Sequence, residues 1–397
     1  MLFNEVIGQH AVKQHLYEMV LHNRLSHALL FLGKEGSGAL PLALAFAQYI
    51  ISLPPKAAVV EDLFGGFSSV EPQGPILPND IATQPAYLRA NSLQHPDLHF
   101  TFPVIPKKSG DKPKSNDYIQ EWREFIKLYP YGNVFDWLQS IGAENKQGNI
   151  SAEECNEIIK QLSLKSFEST YKILLLWMPE YLGKEGNKLL KLIEEPPPNT
   201  LFFLVAENEE QILPTILSRC QLVKVPSLET ADIAKALIER SGVNTEMANQ
   251  IAGIAEGNFR EALQIVQHAD ADWHELLREW LNVTLKGGPI AQMQFVEDIA
   301  KTGREKQKQF LKYFNHLLAQ SLRVRIFGPE NVLMNDAEKE MAIRLNKVIS
   351  VSQQNAIVKE IDKAMYFVER NANGKMLFTA LTLKLYHIIK NNITLDV

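Results

Sequence analysis

The spacing of apolar residues divides the chain into helices and short buried strands. Glu5 to Leu21 carries apolar residues at helical spacing, and "HALLFL" (His27 to Leu32) is an unbroken apolar run of strand length. "ALPLALAFAQYIIS" then reads as a helix with Pro41 in its first turn, where a missing N–H costs nothing. From Leu53 to Pro106 periodicity fades among Pro, Gly, Ser and Asn, which predicts irregular structure or an insertion. "DYIQEWREFIKLY" is an amphipathic helix with Ser115 or Asn116 as its cap, and "ISAEECNEIIKQLSLKS" is another, with Ser151 and Glu154 in capping-box spacing. "YKILLLWM" and "TLFFLVA" are buried strands on either side of a helical "YLGKEGNKLLKLIEE" that stops at Pro196. Alternating strands and helices predict an α/β domain with a parallel sheet, and from Glu229 onward the pattern is helical.

Bulk properties narrow the class. The 397 residues carry a net charge of -5, so tight binding to nucleic acid through overall charge is not expected. Two cysteines, Cys155 and Cys220, make neither a four-Cys zinc site nor a disulfide framework. The start mixes His, Gln and Glu among apolar residues, and no apolar run reaches membrane-spanning length, which predicts a cytoplasmic protein with no membrane partner.

The stretch between the first strand and its helix, Gly33-Lys34-Glu35-Gly36-Ser37-Gly38-Ala39-Leu40, has the glycine spacing of a phosphate-binding loop. Such a loop wraps phosphate in backbone N–H groups and adds a Lys for the β/γ-phosphates and a hydroxyl for Mg²⁺. Gly33 and Gly38 keep the glycine positions, but Ala39 and Leu40 stand where the Lys and hydroxyl belong. An ATPase of this kind also needs acids at the end of a buried strand. Trp177 and Met178 occupy those places, and Glu180 is offset and follows Pro179. Two sites thus lack the groups for one reaction.

"RLSHALLFLG" running into the glycine loop, then "NKLLKLIEEPPPNTLFFLVAENEEQILPTILSRCQ", then "GNFREAL" resemble in order the AAA+ clamp-loader subunits of bacterial DNA polymerase III. The resemblance runs over Phe3 to Ser52 and Asn149 to Asp270, continues as a helical pattern from Trp273, and is absent between about Leu53 and Gly148. With both ATP motifs altered, the chain is similar to the family's non-hydrolysing subunit, not to the motor subunit called gamma or tau.

The resemblance implies three domains. They are an AAA+ P-loop-type α/β domain over 1–226, interrupted by an insertion at about 53–148, a helical lid over 227–271, and an all-α collar over 272–397. It implies that Ser218-Arg219-Cys220 carries an arginine offered in trans to ATP held by the next subunit, where a planar guanidinium engages two phosphoryl oxygens. A structural salt bridge is the plainer reading of Arg219, and Cys220 reads as a packed core residue. Arg260 matches the position of a second family arginine over the phosphates, and here a structural pairing or a solvated helix face is expected. Glu207 and Asn208 follow the strand where active members sense phosphate, and Glu207 would repel it.

Neither ATP, Mg nor Zn is expected in this chain: His95, Asp97 and His99 lack the thiols of the family's zinc module. The aromatics Trp122, Tyr129, Tyr131 and Trp137 suggest a nucleic-acid patch or, at helical spacing and diluted by acids, a local core. Implied partners are the gamma/tau motor subunits and the delta subunit in a hetero-pentamer, with sliding clamp and primed DNA met through that assembly. The competing expectations are an active AAA+ ATPase of motor or branch-migration type, using Lys34 and Glu180, and a stand-alone DNA-binding protein.

Overall fold

A computed structural model of the chain describes residues 1–54, 60–61, 67–68, 76–107, 111–143, 146–267, 273–332, 334, 336–370 and 372–391. Much of the expected insertion between 55 and 75, the middle of the basic loop at 108–110, the boundary expected at 271/272 and the end of the last helix at Ile393 lie outside the described residues. The chain forms two compact units, Met1–Leu263 and Gln264–Val397.

The first unit is built on five parallel strands: β1 (Ala28–Leu32), β2 (Leu98–Thr101), β3 (Lys172–Trp177), β4 (Thr200–Ala206) and β5 (Gln221–Lys224), in the order β2-β3-β4-β1-β5. β3 and β4 are buried along their whole length, so the apolar runs reflect a sheet covered on both faces. The two-residue side-chain period sorts them. Leu29, Phe31, Ile173, Leu175, Trp177, Leu201, Phe203 and Val205 share one core with helix α2 (Ala39–Ile51), every residue of which is buried. Ala28, Leu30, Leu174, Leu176, Phe202 and Leu204 face the other core.

Helix α1 (His10–Leu21) precedes the sheet, and Pro41 does lie in the first turn of α2. Between β1 and β3 the chain forms α3 (Pro85–Asn91), α4 (Ile119–Leu128), α5 (Val134–Ser140) and α6 (Ala152–Ser163). Several local expectations need correction. The stretch 53–106 is not wholly irregular: α3 lies in it, and β2 is an edge strand of the main sheet, held in place by pairing with β3 that no local period reveals. A 3-10 turn, Ser115–Tyr118, precedes α4, so neither Ser115 nor Asn116 caps it. Ser151 does cap α6 through the Glu154 N–H at 3.2 Å, but the Glu154 carboxylate bonds Thr101 and the Ser115 N–H instead of closing the box. The expected helix after β3 is a 3-10 run, Pro179–Leu189, broken at Gly183, and only α7 (Leu190–Glu194) is α-helical. Helices α8 (Pro214–Leu217), α9 (Thr230–Ser241), α10 (Thr245–Ile254) and α11 (Phe259–Gln267) follow.

The second unit is all helical: α12 (Trp273–Lys286), α13 (Pro289–Lys301), α14 (Arg304–Phe327), α15 (Asp336–Val348), α16 (Val351–Glu369) and α17 (Gly374–Asn391). Its core surrounds Trp280, which packs on Phe295, Phe310, Phe314 and Phe378 and donates its indole N–H to Thr382 Oγ1 at 3.0 Å.

Candidate functional site: a closed glycine loop and a partly exposed arginine

The carboxyl ends of β1, β3 and β4 meet at the glycine loop, where an open α/β sheet places its ligand crevice. Gly36 and Gly38 have φ of +70° and +90°, a left-handed backbone in which a side chain is strained. A Cβ on Gly36 would run into the Asn258 side chain, and one on Gly38 would meet the Tyr131 ring at 3.0 Å. The glycines are thus required by what packs on the loop. Gln9 ties the loop down, donating its side-chain amide to the Ser37 carbonyl at 3.0 Å and the Pro226 carbonyl at 2.6 Å. Ala39 and Leu40 are buried in the first turn of α2, and Lys34 is exposed.

The crevice is filled from inside the chain. Pro130, Tyr131 and Gly132, between α4 and α5, lie over the loop with Trp177, Met178 and Glu207, and the space left is about 20 Å³. That is room for about one water, against the roughly 300 Å³ and more of a small-molecule site. The Tyr131 ring stands edge-on to Phe259 at 5.0 Å, and its hydroxyl accepts the Ile7 N–H at 2.7 Å. Burial pushes the Tyr131 phenol up to about 12. A roomier cleft, about 490 Å³, is lined by Phe3, Lys13, Tyr17, Asp232 and Arg240 and by none of the loop residues.

Charge is used up in the same place. Arg260, only 5% exposed, ion-pairs with Asp136 on α5 through Nε and a terminal nitrogen, the latter at 2.6 Å, and with Glu35 of the loop at 3.1 Å. Asn133 and Asn258 also donate to Glu35, at 2.9 and 3.2 Å. One guanidinium thus faces two carboxylates, and its charge is compensated within its own chain. Of the two expectations for Arg260, the structure shows the internal pairing.

At the strand end where acids would stand, Trp177 packs on Trp122 at 5.1 Å and on Phe125 at 5.9 Å. Trp122 also stacks on Phe102 at 4.1 Å and meets Trp137 edge-on. Trp122, Tyr131 and Trp137 are therefore core residues, Tyr129 alone of the four is exposed, and they form no stacking surface for bases. Met178 sits at φ +59°, an unusual conformation for a long side chain, with its N–H on the Val205 carbonyl. Glu180 caps the turn after β4, its Oε1 accepting the Glu207 and Asn208 N–H groups at 2.7 and 2.9 Å, and burial raises its pKa.

Arg219 is not among the residues lining the crevice: it follows α8 and bonds Glu194, at the end of α7, with Nε at 2.7 Å. Its NH1 donates to the Thr215 carbonyl at 2.6 Å. Ser218 Oγ donates to the same carbonyl at 3.2 Å. Cys220 is half-buried at the margin of a core, not within it, and burial pushes its thiol up to about 11. His95 Nε2 lies 2.9 Å from Glu168 Oε1, while the Asp97 carboxylate accepts the Glu168 and Ser169 N–H groups. Among the described residues no group of three or more His, Cys, Asp or Glu is placed to hold a metal.

The family described as "DNA polymerase III, delta subunit" matches residues 85–229, taking in residues 85–148, where the motifs alone show no resemblance. The chain is 26% identical over 257 residues to the DNA polymerase III subunit delta' of Bacillus subtilis, covering 65% of this chain and 59% of that protein. By these matches the chain is similar to the clamp-loader subunits of DNA polymerase III and is delta-prime-like. The tau subunit of Bacillus subtilis is 23% identical over 325 residues, covering 80% of this chain and 46% of tau. The matched stretch thus spans less than two thirds of either relative's length. A DNA polymerase III gamma subunit-related protein of Thermotoga maritima superposes loosely, with a TM-score of 0.37 at 17% identity, covering 93% of this chain and 98% of that one. The parallel sheet with its glycine loop is the expected α/β architecture, and no helix among the described residues is long and apolar enough to cross a membrane.

The sequence does not mark Tyr131, Glu35, Asn133 and Asp136 as parts of this site. Nothing local marks them, because each meets its partner about a hundred or more positions away.

Proposed function

We propose that the chain is a non-hydrolysing clamp-loader subunit that binds neither ATP, Mg²⁺ nor Zn²⁺ and contributes to DNA replication through its contacts in the assembly. The observation that carries this is the filled crevice: Tyr131 over Gly38, and Arg260 neutralised by Glu35 and Asp136. Ala39, Leu40, Trp177 and Met178 point the same way, since the groups that hold phosphate and metal are missing from the sequence itself.

Hydrolysis then belongs to the neighbours. Arg219, partly exposed and planar, is suited to neutralise charge on a phosphoryl group bound by an adjacent subunit. In this reading 227–271 is a lid and 272–397 a collar. The partners are gamma/tau motor subunits and delta in a cytoplasmic hetero-pentamer, with the sliding clamp and primed DNA reached through it.

The test has two arms. The isolated chain should show no Mg-ATP binding by calorimetry at micromolar concentrations. Arg219→Ala should leave assembly intact and slow DNA-stimulated hydrolysis by the reconstituted loader at least tenfold, a small part of the roughly 10³-fold or more that such an arginine supplies. ATP binding that is lost on altering Gly38 would establish the motor-type alternative instead.

A further inference from the structure

In the free chain Arg219 is already engaged. Its Nε and a terminal nitrogen share Glu194 Oε1, and its other terminal nitrogen reaches the Thr215 carbonyl and, at 3.3 Å, Ser218 Oγ. All three guanidinium nitrogens therefore have acceptors inside the chain. A guanidinium can grip two phosphoryl oxygens only with two parallel N–H donors, and the pair best placed for this, Nε and its neighbour, is the pair held by Glu194.

We infer that Glu194 is a positioning residue that parks Arg219 until a neighbouring subunit presents a bound nucleoside triphosphate. The inference rests on the trans-arginine reading above. The parking contact is exchangeable by its nature: the Glu194 side chain is 46% exposed and that of Arg219 30%, so water screens the pair and it contributes little to stability. Triphosphate carries more charge than one carboxylate, and at a subunit interface it meets the guanidinium with water excluded, so it wins the competition. The exchange has a cost. Once Arg219 leaves, the Glu194 carboxylate stands uncompensated close to the incoming phosphates and repels them. Thr215 and Ser218 hold the remaining terminal nitrogen of the same guanidinium and leave Nε and its neighbour to exchange partners.

Glu194 thereby sets how much nucleoside triphosphate the adjacent site needs. The consequence is a change in half-saturating ATP, larger than any change in turnover, when the carboxylate is neutralised.

The experiment compares wild type, Glu194→Gln, Arg219→Ala and the double variant in the full reconstituted loader, with steady-state Mg-ATP hydrolysis on primed DNA. Thermal unfolding of each chain confirms that it folds, and Glu194→Asp serves as the conservative control. Glu194→Gln should lower KM about two- to fivefold, the range an exposed ion pair can contribute, with a smaller change in kcat. Glu194→Asp should stay near wild type, and the KM shift should vanish when Arg219→Ala is also present. If KM is unchanged in Glu194→Gln, or its shift persists without Arg219, while Arg219→Ala still slows turnover, the parking role is overturned and the trans-arginine reading stands. If Arg219→Ala leaves turnover at wild-type level, the reading beneath the inference fails.

Discussion

The Tyr131 hydroxyl accepts the backbone N–H of Ile7 at 2.7 Å, and the ring of the same residue rests against Gly38 of the glycine loop. One side chain from the region between β2 and β3 thus closes the crevice and fastens the N-terminal segment to it. Function and stability meet at this residue, and its removal should be felt in both.

Tyr131→Phe keeps the ring and leaves the Ile7 N–H buried without a partner, at a cost of about 1–3 kcal/mol. Tyr131→Ala also empties the space over Gly38 and should cost about 3–5 kcal/mol. Urea unfolding followed through the fluorescence of Trp122 and Trp177, in the same unit, measures both. Equal stability of Tyr131→Phe and wild type would mean that the hydroxyl contributes nothing.

Arg260→Met removes the cation from two carboxylates that remain half-buried, and such a broken pair costs about 3–5 kcal/mol. Arg260→Lys keeps the charge but loses the fork that spans Asp136 and Glu35, so it should recover only part of the loss. Because Arg260 is neutralised internally, millimolar phosphate should not raise the Tm of the wild-type chain beyond its general salt effect. A phosphate-specific rise, absent in Arg260→Met, would place an anion at the loop after all.

Ala39→Lys with Leu40→Thr puts a Lys and a hydroxyl at the two positions where a phosphate-binding loop carries them. Both positions are buried in α2, so the pair should destabilise the chain by more than ~2 kcal/mol. It should also fail to bind Mg-ATP, because Tyr131 still fills the crevice. Calorimetry decides this: binding by the double variant would show that missing side chains, not lost space, keep nucleotide out.

The helical second unit should lose stability in mild acid. Burial, with Arg323 adding repulsion, lowers the His316 pKa from 6.5 to about 4, so the folded state holds the ring neutral where the unfolded chain protonates it. The unfolded state binds more protons between pH 6.5 and about 4, and stability therefore falls as pH drops through that window. Denaturant midpoints at pH 7 and pH 5 should differ in that sense, and His316→Gln should flatten the difference. An unchanged slope in His316→Gln would assign the pH effect to other groups.

Much of the architecture was legible because its causes are local. "ILLLW" and "LFFLVA" are apolar at every position, which a sheet covered on both faces explains, and Gly36 and Gly38 announce a turn with positive φ. The edge strand Leu98–Thr101 was not legible: its four residues alternate weakly and are strand only because β3 offers a free edge. The 3-10 run Pro179–Leu189 was likewise hidden, since its apolar residues fit a helical period and only Gly183 breaks it.

By itself the sequence determined what the site lacks. Ala39, Leu40, Trp177 and Met178 are facts of composition at marked positions, and no folding restores a missing ammonium or carboxylate there. Only the tertiary structure decided what fills the crevice. Tyr131 reaches Ile7 and Asp136 reaches Arg260 across 124 positions each, and Asn133 reaches Glu35 across 98. Pairings at such separations leave no periodicity to read, because they depend on which surfaces the sheet brings together and not on the spacing of residues along the chain. The same holds for Arg219, whose motif is plain in the sequence while its hold on Glu194 exists only once α7 and α8 pack side by side.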